Sequence, residues 1–259
     1  MKPLLLGKRG LILGVANRRS LAWAIAESCA EQGAELAITY QNERFKKRGE
    51  KMVRNSESIR DALLAACDAT SAEEMDALFE LIGSEMGGLD FIVHCWAFAP
   101  PEDLSGDYID TSWEGHRIAQ QVSAHSLTEI LNRSRDLMQD GGSVVTLSYY
   151  GAEKVVPGYN VMGVAKASLE AAVRYLANDA GPAGIRVNAV SPGPVNTLSA
   201  RGVPGFLDML SLHADRAPLR RNVEAEEVAR ATVFLLSPWS SGITGEVLHV
   251  DAGYNIMGM

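Results

Sequence analysis

The feature of this sequence that most constrains its fold is a regular alternation of apolar runs of strand length with longer stretches of helical periodicity. The apolar runs are residues 10–16, 35–40, 63–67, 89–95, 143–148, 185–191 and 246–250. The helical patterns are residues 21–32, 72–86, 113–138, 159–178 and 224–236. Strands that alternate with helices form a parallel sheet covered on both faces. We therefore predict one α/β domain, residues 1–259, with a doubly wound parallel sheet of seven strands.

The composition argues against several other classes of protein. No apolar run approaches the roughly 18 residues that a membrane-spanning helix needs. Gly7, Lys8 and Arg9 interrupt the N-terminal leucines, which argues against a signal peptide. The three cysteines have unrelated spacings, which favours a reducing compartment over a disulfide framework or a metal site. A net charge of −8 argues against nucleic acid. We expect a cytoplasmic protein that binds neither membrane nor nucleic acid.

Two residues near the start of the fourth helical stretch indicate catalysis. Tyr159 and Lys166 are seven residues apart, so on a helix they are nearly two turns and about 10 Å apart along one face. A phenol with an ordinary pKa of about 10 is a weak acid, and a fixed ammonium nearby lowers that pKa. The pair could donate a proton and bind a diol. An amphipathic helix with a surface lysine and a half-buried tyrosine is the alternative.

The first three strand ends are candidates for binding a dinucleotide. Gly14 ends the first strand, and Ser20 precedes a helix whose N-terminal N–H groups and dipole favour a phosphate. A tight turn capped by Ser20 explains the same residues. Gln41 follows the second strand, where an adenosine ribose would lie, and its lack of charge favours NADH over NADPH. Asp68 ends the third strand, where it would bind the adenine amino group or cap the next helix.

The segment over residues 196–221 is rich in Gly, Pro and Arg and follows the sixth strand directly. Its pattern is the hardest in the chain to assign to a helix or a strand. Because ligands bind at the carboxyl ends of the strands in an open α/β sheet, we predict that this segment forms a lid over the substrate.

These residues together resemble the short-chain dehydrogenase/reductase superfamily, and within it the bacterial NADH-dependent enoyl-acyl-carrier-protein reductases. Ordinary members of the superfamily place a tyrosine four residues before Lys166, where this chain has Met162. The spacing of Tyr149, Tyr159 and Lys166 instead resembles that of the enoyl reductases. The resemblance spans residues 14–254 and implies a Rossmann-like fold. Its stretches are GVANRRSLAWAIA, TYQN, CDAT, HCWAFAP, LSYYGAEKVVPGYNVMGVAKASLEAAVRYLA, GIRVNAVSPGPVNTLSARG, APLRRNV and GEVLHVDAGY.

The resemblance implies a reaction. NADH would deliver hydride to C3 of a trans-2-enoyl thioester, which reduces the C2–C3 double bond in the last step of the fatty-acid elongation cycle. Tyr159 would donate a hydrogen bond to the thioester oxygen as it becomes an enolate, in the manner of an oxyanion hole. Lys166 would hold the nicotinamide ribose. Tyr149 is a candidate for the proton donor to C2, or else an aromatic wall of the acyl pocket.

The resemblance also implies which residues surround the two ligands. Trp96 would lie beside the cofactor or else point into the core. Together with Ala97, which replaces a common glycine, Trp96 would weaken the binding of flat inhibitors that stack on the nicotinamide. Thr197 would donate to a phosphate or else cap a turn. Residues implied at the cofactor are Gly14, Ser20, Leu21, Gln41, Asp68, Ala69, Trp96, Lys166, Val195, Asn196, Thr197, Leu198 and Ser199. Residues implied at the substrate are Ala99, Tyr149, Tyr159 and Met162.

The resemblance implies acyl carrier protein as the partner that carries the enoyl substrate, and a homotetramer as the assembly. Acyl carrier protein is acidic, but residues 204–208 lack the cation that many relatives have there. The cations that would serve instead are Arg201, Arg216, Arg220 and Arg221. Two alternatives remain: a short-chain reductase that acts on a carbonyl or an enoyl-CoA, and a catalytically inactive protein that binds nucleotide.

Overall fold

The computed structural model describes residues 2–198, 200–202 and 205–258. Within these residues seven strands form one sheet in the order β3-β2-β1-β4-β5-β6-β7, and each neighbouring pair is parallel. The strands are β1 (Arg9–Leu13), β2 (Glu35–Tyr40), β3 (Leu63–Ala66), β4 (Phe91–His94), β5 (Gly142–Leu147), β6 (Ile185–Pro192) and β7 (Val247–Val250). The predicted doubly wound, Rossmann-like sheet is confirmed.

Helices cover both faces of the sheet. They are α1 (Leu21–Glu31), α2 (Glu43–Arg54), α3 (Ala72–Met86), α4 (Trp113–Gln120), α5 (Ser126–Ser134), α6 (Asn160–Ala180), α7 (Phe206–Arg216) and α8 (Ala225–Leu236). Alternate residues of β1 face opposite cores, as the pleat of a strand requires. Leu11 and Leu13 pack with residues of α3, α5 and α6, and Ile12 packs with residues of α1 and α8. None of the described helices combines the length and the apolar character needed to cross a bilayer.

Element ends differ from the predicted ends by a few residues, and three larger differences have physical causes. The helix predicted over 113–138 is divided by a π-helical turn, Gln121–His125, next to which the Ser126 hydroxyl donates to the Val122 carbonyl at 2.8 Å. Helix α2 was not predicted because eight of its twelve residues are charged, so its few apolar residues went unnoticed although they recur at helical spacing. Helix α7 occupies the segment that was hardest to assign, and only Phe206 and His213 on it are buried.

The strand order indicates where on the sheet a ligand would bind. Strand β1 lies between β2 and β4, so the chain winds outward in both directions from this point. In doubly wound sheets the helices on the two sides of such a point diverge and leave a crevice at the carboxyl ends of the strands, where ligands bind.

Candidate active site

A cavity of about 640 Å³ lies where β1, β2, β3 and β4 end. It brings together five of the residues predicted at the cofactor, namely Gly14, Gln41, Asp68, Ala69 and Trp96. Residues of α4 and the π-helical turn, among them Ile118 and Val122, form the opposite wall. A cavity of this size at the switch point of a parallel sheet can hold a nucleotide.

Gly14 turns the chain out of β1 in a way that only glycine tolerates. Its φ of +86° lies in the left-handed region, and its N–H donates to the Thr39 hydroxyl at 3.1 Å. A Cβ atom on Gly14 would lie 3.0 Å from the carbonyl oxygen of Cys95 and 3.0 Å from Cδ1 of Trp96. The missing side chain therefore leaves the backbone open to a ligand beside the N-terminus of α1.

Ser20 and Asp68, two of the polar residues for which capping was the alternative, behave differently. Ser20 is the N-cap of α1, because its hydroxyl accepts from the N–H of Trp23 at 3.2 Å and donates to the Asn17 carbonyl at 2.7 Å. The capping interpretation of Asp68 is wrong, because Ser71 caps α3. Asp68 Oδ1 instead accepts from the N–H and the hydroxyl of Thr70, at 2.8 and 2.6 Å.

Trp96 lies both in the apolar core and beside the cofactor cavity, the two alternatives considered for it. It is only 8% exposed and belongs to the core that contains Leu11 and Leu13, and its ring packs edge-on against His94 at 6.0 Å. The same side chain lines the cavity beside Gly14. Much of the indole is therefore structural, and one edge borders the candidate cofactor site.

Lys166 is not a surface lysine. It is 4% exposed, and its Nζ donates to the carbonyl of Leu147, the last residue of β5, at 2.6 Å. Burial lowers the pKa of Lys166 to about 8, while Cys95 and Glu170 act in the opposite direction. The ammonium is thus held at the carboxyl edge of the sheet and loses its proton at a much lower pH than an ordinary lysine.

Tyr159 lies just before α6 and not within it, because the helix begins at Asn160, whose φ is +34°. The expectation that Lys166 lowers the pKa of Tyr159 is wrong. Burial, followed by the neighbouring Tyr149, raises that pKa above its ordinary value. The desolvation of the phenolate outweighs any attraction from the ammonium. Tyr159 is therefore a neutral phenol at physiological pH, able to donate a hydrogen bond.

The residues predicted at the substrate converge on Tyr159. Ala99 and Met162 are buried in one apolar cluster, against which Tyr159 packs. The ring of Tyr149 meets that of Tyr159 edge-on, with 4.8 Å between centroids and 67° between planes. The Tyr149 hydroxyl donates to the sulfur of Met209 on α7 at 3.0 Å, and burial raises the pKa of Tyr149 to about 12.

A second cavity, of about 620 Å³, extends from Tyr149 between the end of β6 and helix α7. Its walls include Val156, Pro157, Met209 and Leu212, so they are largely apolar. The cavity is suited to a hydrocarbon chain that enters beside the two tyrosines.

The residues predicted at the cofactor after β6, as far as they are described, do not line the main cavity. Val195 and Asn196 line a third depression, of about 460 Å³, together with Ser20. The Thr197 hydroxyl accepts from the N–H of Ala200 at 3.1 Å, which is the turn-capping arrangement. Leu198 is 49% exposed. Leu21 begins α1 and packs partly against the core, and Ser199 lies outside the described residues.

Sequence reasoning missed a buried polar pair beside Lys166. The hydroxyl of Ser148 donates to a carboxylate oxygen of Glu170, and both residues are buried. Glu170 follows Lys166 by four residues, a spacing that places two side chains side by side on a helix. That spacing could have indicated Glu170, but a glutamate on a helix is usually exposed, so the sequence did not predict a buried pair.

The family described as enoyl-(acyl carrier protein) reductase matches residues 14–255, which is nearly the whole chain. This chain belongs to the enoyl-(acyl carrier protein) reductase family. The Rhizobium meliloti protein named enoyl-acyl-carrier-protein reductase (NADH) 1 is 49% identical over 253 residues, which cover 98% of this chain and 92% of that family member. The Bacillus cereus family member named enoyl-acyl-carrier-protein reductase (NADH) FabI is 49% identical over 255 residues, with 98% and 99% covered.

Solved structures of the family superpose on the entire fold. The Anaplasma phagocytophilum reductase in complex with NAD has a TM-score of 0.95 and 48% identity, with 100% of this chain and 98% of that chain covered. The Bacillus cereus reductase with NADP⁺ and an indole naphthyridinone has a TM-score of 0.96 and 49% identity, with 99% of each chain covered. The family predicted from the sequence is therefore confirmed.

Proposed function

We propose that this chain reduces the C2–C3 double bond of trans-2-enoyl thioesters with NADH, the last step of the fatty-acid elongation cycle. One observation carries the proposal. In a chain of the enoyl-(acyl carrier protein) reductase family, the neutral phenol of Tyr159 packs against Tyr149 in the wall of the largely apolar cavity, and the buried ammonium of Lys166 lies near Cys95 in the wall of the nucleotide-sized one. Such an arrangement brings a reduced dinucleotide and an acyl chain to the same hydrogen-bond donor.

The residues present suit a dinucleotide. The absent Cβ of Gly14 leaves the backbone free beside the N-terminus of α1, where N–H groups favour a pyrophosphate. Gln41, which is exposed and uncharged, and Asp68 line the adenosine side of the cavity, and this supports NADH over NADPH. Trp96 and Lys166 would border the nicotinamide half. When bound, NADH supplies the hydride that is added to C3 of the substrate.

The protein residues would act on the oxygen of the thioester. Tyr159 would donate its phenol hydrogen bond to that oxygen as it gains negative charge, and one such preorganised donor typically contributes 10²–10³ in rate. Lys166 would hold the nicotinamide ribose and add a positive potential. Ala99 and Met162 would limit the space around the double bond.

Tyr149 is better suited to form a wall of the acyl pocket than to donate the proton to C2. Its hydroxyl is engaged with Met209, and its pKa of about 12 makes it a poor acid. The same contact supports the predicted lid over residues 196–221, because it connects helix α7 to the end of β5.

The enoyl group would arrive on acyl carrier protein. Of the four candidate arginines, Arg221 forms an ion pair with Glu227 at 2.6 Å, and Arg201 donates to Asn196 at 2.8 Å. Arg220 donates to the Asp215 carbonyl. Arg216 is exposed and is the best candidate to meet an acidic carrier. We also infer that the protein is a homotetramer and that it is cytoplasmic. The free, buried Cys29 and Cys67 suit the reducing conditions of the cytoplasm.

Steady-state rates with NADH and NADPH against enoyl thioesters on carrier protein and on coenzyme A test the proposal. We expect oxidation of NADH by 2-enoyl thioesters, a lower rate with NADPH, and a preference for the carrier-bound substrate. A 3-oxoacyl thioester is the control substrate. Faster turnover of that control would indicate a carbonyl reductase. Tight NADH binding without any turnover would indicate an inactive nucleotide-binding protein.

A further inference from the structure

The end of β5 is joined to α6 by three successive residues. Leu147 accepts a hydrogen bond from Lys166, and Ser148 donates one to Glu170. Tyr149 then packs edge-on against Tyr159, immediately before α6. The middle contact therefore lies between the two that involve the candidate catalytic residues, although neither Ser148 nor Glu170 has a role in the reaction described above.

Glu170 is an unusual residue for its position. A carboxylate is expensive to bury unless it is hydrogen-bonded or paired, yet Glu170 is only 8% exposed. Lys166 is one helical turn earlier on the same face and is more deeply buried. A buried ammonium also needs compensation, and Glu170 is the carboxylate that favours its charged form. The negative charge of Glu170 thus reduces the cost of burying the ammonium of Lys166.

We propose that Glu170 is a positioning residue of the active site, which keeps Lys166 charged and fixes the end of β5 through Ser148. The inference rests on the proposed function, since it assigns Glu170 to the reaction that Lys166 and Tyr159 would carry out. Glu170 would not contact the substrate. It would act through the ammonium on one side of Ser148 and through the orientation of Tyr149 on the other.

The groups around Glu170 act on its charge in both directions. The pKa of Glu170 is raised above its ordinary value, mainly by burial and also by Glu153, while the Ser148 hydrogen bond, His249 and Arg174 oppose the rise. Cys95 and Glu170 are the neighbours that can favour the ammonium. Burial raises the pKa of the Cys95 thiol to about 12, so it carries no charge at neutral pH, and burial lowers the pKa of the nearby His94 imidazole to about 3, so it is neutral too. Among these neighbours Glu170 is the carboxylate that supports the ammonium of Lys166.

Two substitutions separate the charge from the hydrogen bond. Glu170→Gln removes the charge and keeps an oxygen that can accept from Ser148, and Ser148→Ala removes the hydrogen bond and keeps the charge. Glu114→Gln, at an exposed glutamate paired with Arg117, is the control for loss of a helix carboxylate. The pH at which Lys166 is half protonated is read by NMR of protein labelled with ¹³C at Cε of lysine, with Lys166→Arg for assignment.

We expect Glu170→Gln to lower the titration midpoint of Lys166 by about one pH unit, as loss of a nearby opposite charge does. The alkaline limb of kcat/KM for an enoyl thioester should move with it. Ser148→Ala should leave the midpoint within a few tenths of a unit and lower kcat several-fold at unchanged NADH affinity. Glu114→Gln should change neither. An unchanged midpoint in folded Glu170→Gln would overturn the proposal.

Glu170→Asp provides a second route if the glutamine variant does not fold. It retains the charge but withdraws it by one methylene, so the midpoint should fall by less than in Glu170→Gln, and an unchanged value would again contradict the proposal. The NMR titration requires no turnover. A wild-type protein without enoyl reductase activity would therefore disprove the proposed function, whereas a midpoint independent of Glu170 would disprove the role of Glu170 alone.

Discussion

The ammonium of Lys166 donates to the carbonyl oxygen of Leu147 at 2.6 Å, which ties the N-terminal part of helix α6 to the last residue of strand β5. Both groups are inside the protein, so water cannot replace either partner. The position of the ammonium is consequently fixed by the sheet itself. The charge of the ammonium is less secure than its position, because burial lowers the pKa of Lys166 to about 8.

The pH dependence of the reaction should report this charge. Burial lowers the pKa of Lys166 from 10.5 to about 8, so the ammonium is present below that pH and lost above it. We expect kcat/KM to fall about tenfold per pH unit above the midpoint, as for a single essential ionisation. Initial rates with NADH and an enoyl thioester between about pH 6 and about pH 9.5 provide the measurement. A flat profile across this range would show that the charge is dispensable.

Replacement of Tyr159 by phenylalanine removes the hydrogen-bond donor and leaves the ring that packs in the apolar cluster. We expect kcat to fall by about 10²–10³, as it does when one preorganised donor is removed. The affinity for NADH, measured by fluorescence titration, should stay within about twofold because the hydroxyl is assigned to the substrate. Full activity in this variant would remove Tyr159 from the mechanism.

Replacement of Tyr149 by phenylalanine distinguishes its two roles. A general acid typically contributes 10²–10⁴ in rate, whereas an aromatic wall keeps most of its effect without the hydroxyl. Since the hydroxyl is bonded to Met209, we expect kcat to fall by no more than about fivefold and KM for the thioester to rise modestly. Steady-state kinetics at saturating NADH decide the matter, and a hundredfold loss of kcat would restore the proton-donor role.

Gly14 and Gly7 form a matched pair for testing the cofactor turn. Both have positive φ, +86° and +70°, but a Cβ on Gly7 would meet nothing within 4 Å, whereas one on Gly14 would meet Cys95 and Trp96. Each substitution by alanine should cost about 1–2 kcal/mol for the left-handed backbone. Gly14→Ala should cost about 1 kcal/mol or more beyond Gly7→Ala and should alone weaken NADH binding. Denaturant melts and NADH titrations of both variants check this, and equal effects would contradict it.

The bulk at the edge of the cofactor cavity should affect inhibitors. Trp96 and Ala97 both line the cavity. We expect the double variant Trp96→Ile, Ala97→Gly to bind flat inhibitors that stack on the nicotinamide more tightly than the wild type. Because Trp96 is mostly in the core, the variant should also lose about 3 kcal/mol of stability. Inhibition constants and melting curves measure the two effects, and equal inhibition of both proteins would refute the first.

Much of the fold could be predicted because the strands of a parallel sheet with helices on both faces appear in the sequence as apolar runs. Strand β2 and helix α3 were predicted to the residue. Helix α2 was missed by the same reasoning, because its apolar residues recur at helical spacing but are far outnumbered by charged ones and form no apolar run. The π-helical turn was also out of reach, because it depends on a local hydrogen bond from Ser126 and not on any pattern.

Some features of the candidate site could likewise be predicted from the sequence and others could not. Residues at strand ends, such as Gly14 and Asp68, were placed in one cavity because the topology decides where strand ends go. The direction of the Tyr159 pKa shift was predicted wrongly, because spacing along the chain gives no measure of burial. Glu170 was missed for the same reason. Solvent exposure depends on the whole tertiary structure, and a sequence window does not contain it.

The two larger apolar cores, which lie on opposite faces of the sheet, have a consequence for the predicted lid over residues 196–221. Leu169 and Val173 anchor the helix that carries Lys166 in one core, whereas Ala217, which follows α7 directly, belongs to the other. Helix α6 and the residue that follows α7 are therefore anchored in cores on opposite faces of the sheet. A movement of helix α7, as expected of the predicted lid, would leave the packing of Leu169 and Val173 in place.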